Sequence, residues 1–127
     1  SSFFYHEISV AATKRMLAEC YRVLKPGGMM VHMELPAASQ VNAYYNFVLD
    51  WDTEHNNEPH YRDFRSQNLN DLMTGAGFDQ NECFMVTIPE VSAVSDDHFR
   101  QVAVGEVEPP KHGNYSSWCL FGAHKTS

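Results

Sequence analysis

The chain has little that would tie it to a membrane, to nucleic acid or to a structural metal. No apolar run approaches the roughly 20 residues of a membrane helix, and no basic region followed by an apolar core marks a signal peptide. Nine Lys and Arg against 16 Asp and Glu give a net charge of −7, which argues against nucleic acid and leaves no basic membrane patch. The three cysteines lie far apart without a Cys-x-x-Cys pair, so we expect reduced, buried thiols in a cytoplasmic protein.

The length of 127 residues corresponds to one domain or to part of one. An apolar content of 43% is ordinary for a globular protein, and a real hydrophobic core is possible at this size. The first methionine is Met16, which falls inside a predicted helix. We therefore expect the chain to be a fragment of a longer reading frame.

A helix, a tight turn and a buried strand follow one another between residues 9 and 35. Ser9 can cap a helix start, and apolar side chains then recur about every four residues. Pro26 cannot continue the helix, and Gly27-Gly28 supply the positive φ angles that a sharp turn needs. The predicted elements are a helix over Ser9–Leu24 and a strand over Met29–Leu35. By themselves they make half of a βαβ unit, which many α/β proteins contain.

The rest of the chain alternates between helical and strand patterns. The order is therefore predicted as α-β-α-α-β-loop-β, with no strand before the first helix. The further predicted elements are a helix over Val41–Thr53, a loop over Glu54–Arg65, a helix capped by Ser66 or Asn68 and closed by Gly77, a strand over Glu82–Ile88, a short helix from Ser95 to Gln101, an exposed loop over Glu106–Pro110 and a strand over Ser116–His124.

Three stretches resemble class I S-adenosylmethionine-dependent methyltransferases, in that family's order. They are His6-Glu7-Ile8-Ser9 followed by Arg22-Val23-Leu24-Lys25-Pro26-Gly27-Gly28, then the helix Leu69–Phe78 with its Ala-Gly-Phe end, and the last strand. The resemblance implies an α/β fold, the C-terminal half of a Rossmann-like methyltransferase sheet. Its strands would be equivalent to the fifth, sixth and seventh of the family, the last one antiparallel, with flanking helices.

What the resemblance leaves out matters equally. The chain has no Gly-x-Gly-x-x-Gly run, and nothing corresponds to the acidic residue that would hold the ribose of the cofactor. Residues 1–127 would thus be one partial methyltransferase domain that lacks the N-terminal cofactor-binding strands, with residues 36–65 as a lid-like helical insertion. The implied cofactor is S-adenosylmethionine and the implied acceptor a small molecule. We expect the isolated chain to bind the cofactor weakly and to be inactive, and no cofactor-binding residues are assigned.

The resemblance brings His6 and Glu7 to the C-terminal edge of the sheet as candidate catalytic residues. Ligands of open α/β sheets bind at that edge, and His6 can serve as a general base near neutral pH. Alternatively, His6 only packs there, because proximity and alignment alone accelerate many transfers. Glu34 would reach the same edge from the next strand and orient a substrate hydroxyl or amine, or simply end its strand through hydrogen bonds.

Tyr44, Trp51 and His55 are candidate substrate-binding residues in the second helix and its loop. Aromatic side chains at helical spacing are more often part of a buried core than of a substrate site. His55 and His60 stand among several acidic residues, but their spacing matches no standard zinc arrangement, so no metal site is predicted.

Two other functions remain open at this stage. One is a non-catalytic α/β module that self-associates into a homo-oligomer through its open sheet edge. The other is an unrelated small α+β domain with a pocket lined by the aromatic residues and His55. We expect no nucleic-acid partner and no membrane partner in any of these cases.

Overall fold

Short polar side chains begin four of the five α-helices in the computed structural model, which describes residues 1–108 and 117–126. Each accepts hydrogen bonds from backbone N–H groups that a helix start leaves without a partner. The N-caps are Ser9, Asn42, Asn68 and Ser95. The helices are α1 (Val10–Val23), α2 (Ala43–His55), α3 (Tyr61–Arg65), α4 (Leu69–Gly75) and α5 (Asp96–Ala103); the strands are β1 (Met29–Glu34), β2 (Cys83–Pro89) and β3 (Ser117–His124).

The predicted helix–turn–strand unit is confirmed. The Ser9 side chain accepts from the Ala12 N–H, and the helix ends before Pro26. Gly27 has a φ of 78°, the left-handed region that favours glycine, and the chain then turns directly into β1. Local residue chemistry alone decides this segment, which is why it could be predicted.

The three strands form one open sheet in the order β1-β3-β2. β3 is antiparallel to both neighbours and aligns Ala123 with Met30 on one side and with Cys83 on the other. β1 and β2 therefore run in the same direction, and the chain between them crosses over through α2, α3 and α4. The fold is α/β with a small, open sheet.

The main core lies between one face of the sheet and the helices α1 and α4. Alternate residues of β1 and β3 point into it, as a pleated strand with one covered face requires. Its buried residues are Tyr5, Leu17, Met30, Phe64, Leu69, Leu72, Met73, Phe78, Cys119, Phe121 and Ala123. A smaller cluster of Leu35, Leu49 and Tyr61 lies beside it. Tyr5, Leu35 and Tyr61 also surround the candidate site described below.

One prediction of this region is wrong. Residues 54–65 are not a loop throughout, because Tyr61–Arg65 form α3, whose Tyr61, Phe64 and Arg65 are buried. As predicted, no strand precedes α1 in the described residues, although the N-terminal residues do pair with β1 at one isolated bridge. Ser2 forms a parallel bridge with Met33, and the Phe3 N–H donates to the Met33 carbonyl at 2.8 Å.

The remaining predictions concern the last quarter of the chain. The short helix is confirmed as α5, which ends at Ala103, two residues later than predicted. Of the predicted loop 106–110, residues 109 and 110 lie outside the described residues, as does Ser116 at the predicted start of the last strand. Cys20, Cys83 and Cys119 are unpaired, as predicted, but only Cys119 is buried, whereas Cys20 and Cys83 are partly exposed. No helix in the described part of the chain is long and apolar enough to cross a bilayer.

Candidate functional site

A buried carboxylate organises the end of β1. Glu34 is the last residue of that strand and is fully buried. Its Oε1 accepts from the Phe4 N–H at 2.5 Å and from the Tyr5 N–H at 2.6 Å, at the start of the short 3-10 turn Tyr5–Glu7. A buried carboxylate needs such donors because it has lost its water. Glu34 thereby holds the N-terminal turn against the end of the sheet.

His6 is oriented by the second oxygen of the same carboxylate. Its Nδ1 lies 2.7 Å from Glu34 Oε2, and its Nε2 lies 3.3 Å from Glu7 Oε1. Burial lowers the pKa of His6, but the hydrogen bond and charge of Glu34, with the charges of Glu7 and Glu58, outweigh it and raise the pKa above its ordinary value of 6.5. An imidazole whose Nδ1–H donates to a carboxylate has its Nε2 available as a base.

The His6 ring lines an open cavity of about 310 Å³. Four segments contribute to its wall: the N-terminal turn, the end of β1, the stretch from α2 to α3, and β3. Residues distant in sequence therefore meet there. The lining residues are Phe3, His6, Leu35, Asp52, Glu58, Tyr61 and Trp118. The rings of His6 and Tyr61 meet edge to face at 5.5 Å, and those of Phe3 and Trp118 at 4.8 Å. The cavity is thus aromatic on two sides and carries two carboxylates.

The cavity has a negative electrostatic character. Burial, and then the charge of Asp52, raise the pKa of Tyr61 to about 12, so its hydroxyl stays protonated. The nearby arginines are committed elsewhere: Arg62 pairs with Asp50 and Glu54, and Arg65 pairs with Asp50. The lining residues thus include two carboxylates, Asp52 and Glu58, and one group that can become cationic, the His6 imidazole.

A second buried histidine, His32, lies on β1 two residues before Glu34. His32 is 6% exposed, and its Nε2 lies 3.2 Å from the Tyr5 hydroxyl. Its Nδ1 lies 2.9 Å from the Ser1 hydroxyl. Burial, and then the positive charge of the chain's N-terminus, lower the pKa of His32 to about 4. His32 is therefore neutral at physiological pH and supports the turn that carries His6.

His32 makes the free energy of unfolding depend on pH below neutrality. Its folded pKa lies below the ordinary 6.5, so the unfolded chain binds more protons between those values. We expect the wild type to lose about 2 to 3 kcal/mol of stability as the pH falls from neutral to about 4.5, and His32→Gln to lose less. Urea unfolding at both pH values measures the difference.

An exposed histidine provides the control for that experiment. His124→Gln is expected to lose as much stability as the wild type between neutral pH and about 4.5. His6 affects the free energy of unfolding in a different pH range. Because its pKa is raised in the folded state, its stabilising contribution is complete below pH 6.5 and is lost as the pH rises through the pKa of the folded state. The same loss in His32→Gln as in the wild type, or an NMR titration of the His32 ring near 6.5, would contradict this assignment.

The predicted site residues divide into two groups. His6, Glu7 and Glu34 come together, although Glu34 contacts His6 and backbone N–H groups and does not line the cavity. Tyr44, Trp51 and His55 lie on the exposed side of α2 and do not line it either. The His55 ring stacks on Trp51 at 4.3 Å, and its Nδ1 lies 2.7 Å from the Trp51 carbonyl oxygen.

Sequence reasoning missed most of the cavity wall. Phe3, Asp52, Glu58, Tyr61 and Trp118 were not predicted as site residues. Helical spacing could have pointed to Asp52, which lies three residues after the buried Leu49 and so shares its face. Nothing in the sequence pattern brings Trp118 to the same place, because that contact depends on the pairing of β3 with β1.

Comparison of the chain with protein-family models, with curated proteins and with solved structures gives no match. Within residues 1–108 and 117–126, no three His, Cys, Asp or Glu side chains are grouped to hold a metal ion. The site is therefore interpreted from its own geometry: an oriented histidine base at the edge of an acidic, aromatic cavity.

Proposed function

We propose that this chain is the C-terminal part of an S-adenosylmethionine-dependent methyltransferase that acts on a small-molecule acceptor. The observation that carries the proposal is the sheet, in which the last strand is antiparallel to two strands that run in one direction. The sequence resemblance implies an antiparallel last strand in the same position of the chain. The confirmed helix–turn–strand unit and the helix α4, which precedes β2, agree with it.

In this proposal His6 is the general base. Glu34 holds the imidazole through Nδ1, which leaves Nε2 to accept a proton from an acceptor bound in the cavity. Glu34 is thus a positioning residue, and its charge stabilises the imidazolium that forms. The raised pKa of His6 suits a base that works near neutral pH.

The residues of this chain do not fit the cofactor by themselves. The sequence has no Gly-x-Gly-x-x-Gly turn that would let a cofactor approach the backbone. The cavity beside His6 carries carboxylates and holds about 310 Å³. We therefore assign no S-adenosylmethionine site to these residues, and we expect the isolated chain to be inactive.

The test compares the chain alone with the chain extended by the reading frame that precedes the Ser1 codon. We expect only the extended protein to transfer labelled methyl groups from S-adenosylmethionine to small-molecule amines or phenols. In that protein His6→Gln should lower kcat by about 10²-fold, the scale of one general base, and should remove the ionisation near neutral pH from the rate profile. Calorimetry should detect no micromolar cofactor binding by the isolated chain.

The matched control is His124→Gln, at an exposed histidine remote from the cavity lining. It should keep the wild-type kcat and pH profile. The proposal fails if the extended protein transfers no methyl group to any acceptor. It also fails in its mechanism if His6→Gln retains full activity.

A second candidate function is a non-catalytic module that self-associates through its sheet edge. β2 pairs with β3 on one side, and no described strand borders its other side. Met85 and Val86 on β2 are 41% and 38% exposed, so this edge carries accessible apolar side chains. Light scattering separates the two candidates, because a dimer or larger species supports edge pairing and a stable monomer counts against it.

A further inference from the structure

We propose that the cavity beside His6 binds an organic cation, namely a protonated amine on an aromatic or other apolar frame. As a statement about binding it depends only on the cavity. As a statement about the methyl acceptor it rests on the proposed function and names the acceptor class as an amine.

The charge of the cavity supports a cationic ligand. Asp52 and Glu58 both line it and are partly buried, and Glu7 lies beside His6 at the same end. The described lining residues include no lysine or arginine. An ammonium group placed here would face carboxylates in a partly desolvated setting, where charge–charge attraction is stronger than in bulk water. A carboxylate or phosphate group would be repelled.

The aromatic walls specify the rest of the ligand. Tyr61 and Trp118 present rings to the cavity, Phe3 adds a third, and Leu35 completes an apolar surface. Aromatic faces attract cations through their quadrupole and also bury apolar surface. An amine attached directly to a ring or short chain satisfies both parts of the site, whereas a small inorganic cation would use only the carboxylates.

The test is a titration of the chain itself, without cofactor. The probes are 2-phenylethylammonium and 2-phenylethanol, which have the same frame and differ in charge. The chain has two tryptophans, of which Trp118 lines the cavity and Trp51 does not. We expect the ammonium probe to shift the Trp118 indole N–H resonance, to leave Trp51 unmoved, and to bind at least 10-fold more tightly than the alcohol.

Two double variants separate local charge from overall charge. Asp52→Asn with Glu58→Gln removes the two cavity carboxylates, and the preference for the ammonium probe should fall to about 2-fold or less. Asp63→Asn with Glu106→Gln changes the net charge equally at exposed sites outside the lining, and the preference should persist. The comparison of the two probes on the wild-type chain needs no variant, so it remains valid even if a double variant fails to fold.

The inference is overturned if the alcohol binds as tightly as the ammonium probe, or if Trp51 shifts and Trp118 does not. Its failure can be told from failure of the proposed function. An ammonium preference without methyl transfer by the extended protein removes the function and keeps the binding site. Methyl transfer to neutral acceptors without an ammonium preference keeps the function and removes the binding site.

Discussion

Glu34→Ala is expected to lower the free energy of unfolding by about 3 to 5 kcal/mol, the cost of removing one partner from a buried, charged pair. The Phe4 and Tyr5 N–H groups and the His6 ring all donate to this fully buried carboxylate. Alanine leaves them without acceptors and also creates a cavity under the turn. Urea unfolding of both proteins at neutral pH measures the difference.

Glu34→Gln separates charge from shape at the same position. Its carbonyl oxygen can still accept from the Phe4 and Tyr5 N–H groups, so we expect a smaller loss, about 1 to 2 kcal/mol. The pKa of His6 should fall, because the charge that raises it is gone. Glu7→Gln, at the half-exposed partner, is the control and should change stability little. Wild-type stability in Glu34→Ala would contradict the central role of this carboxylate.

Gly122→Ala is expected to cost about 2 to 3 kcal/mol by overpacking. A Cβ at this position of β3 would overlap the Met30 carbonyl oxygen, and it would lie 2.7 Å from the Phe84 ring. The ring can move, but the carbonyl belongs to the paired backbone of β1, which cannot shift without disturbing the sheet. Thermal or urea unfolding measures the loss.

A second glycine provides the matched control. Gly75, the last residue of α4, has open space where a Cβ would stand, and its φ is not positive. Gly75→Ala should therefore be neutral or slightly stabilising. The double variant Gly122→Ala with Phe84→Ala tests the cause, since it relieves only the ring contact. Full rescue of stability by that second change would contradict the backbone explanation.

Helix α2 illustrates how far sequence patterns reached. The helix over Val41–Thr53 was predicted, and α2 occupies Ala43–His55. The apolar stripe was expected to be its buried side, but Tyr44 is 75% exposed and Trp51 is 54% exposed. The periodicity thus predicts the helix correctly, but it predicts the wrong side of α2 as the buried one.

The reason lies in a buried charge from another helix. Arg65 of α3 is 2% exposed and donates to the Pro36 carbonyl, the Asn46 side chain and Asp50. Those partners must point inward, because a buried guanidinium needs acceptors. The polar side of α2 therefore faces α3. No periodicity rule anticipates this, since the requirement comes from a residue about 15 positions further along the chain.

Part of the candidate site can also be predicted from the sequence, and part cannot. His6, Glu7 and Glu34 could be named from the sequence because a family-like order of segments brought them to one sheet edge. The link from Glu34 to Nδ1 of His6 could not be named, since it depends on how the N-terminal turn folds against β1. The cavity wall depends on four separate segments that meet only in the folded protein.

By itself the sequence determined the helix starts at Ser9 and Ser95, the turn at Pro26 and Gly27, and the existence of the three strands. It left the start of α4 open between Ser66 and Asn68. These follow from hydrogen bonding and φ preferences that act within a few residues. Only the tertiary structure decided that β3 lies between β1 and β2, which side of α2 is buried, and which side chains surround His6. Those outcomes depend on long-range packing, on hydrogen-bond donors for the buried carboxylate of Glu34 and on acceptors for the buried guanidinium of Arg65. None of these is encoded in a local pattern.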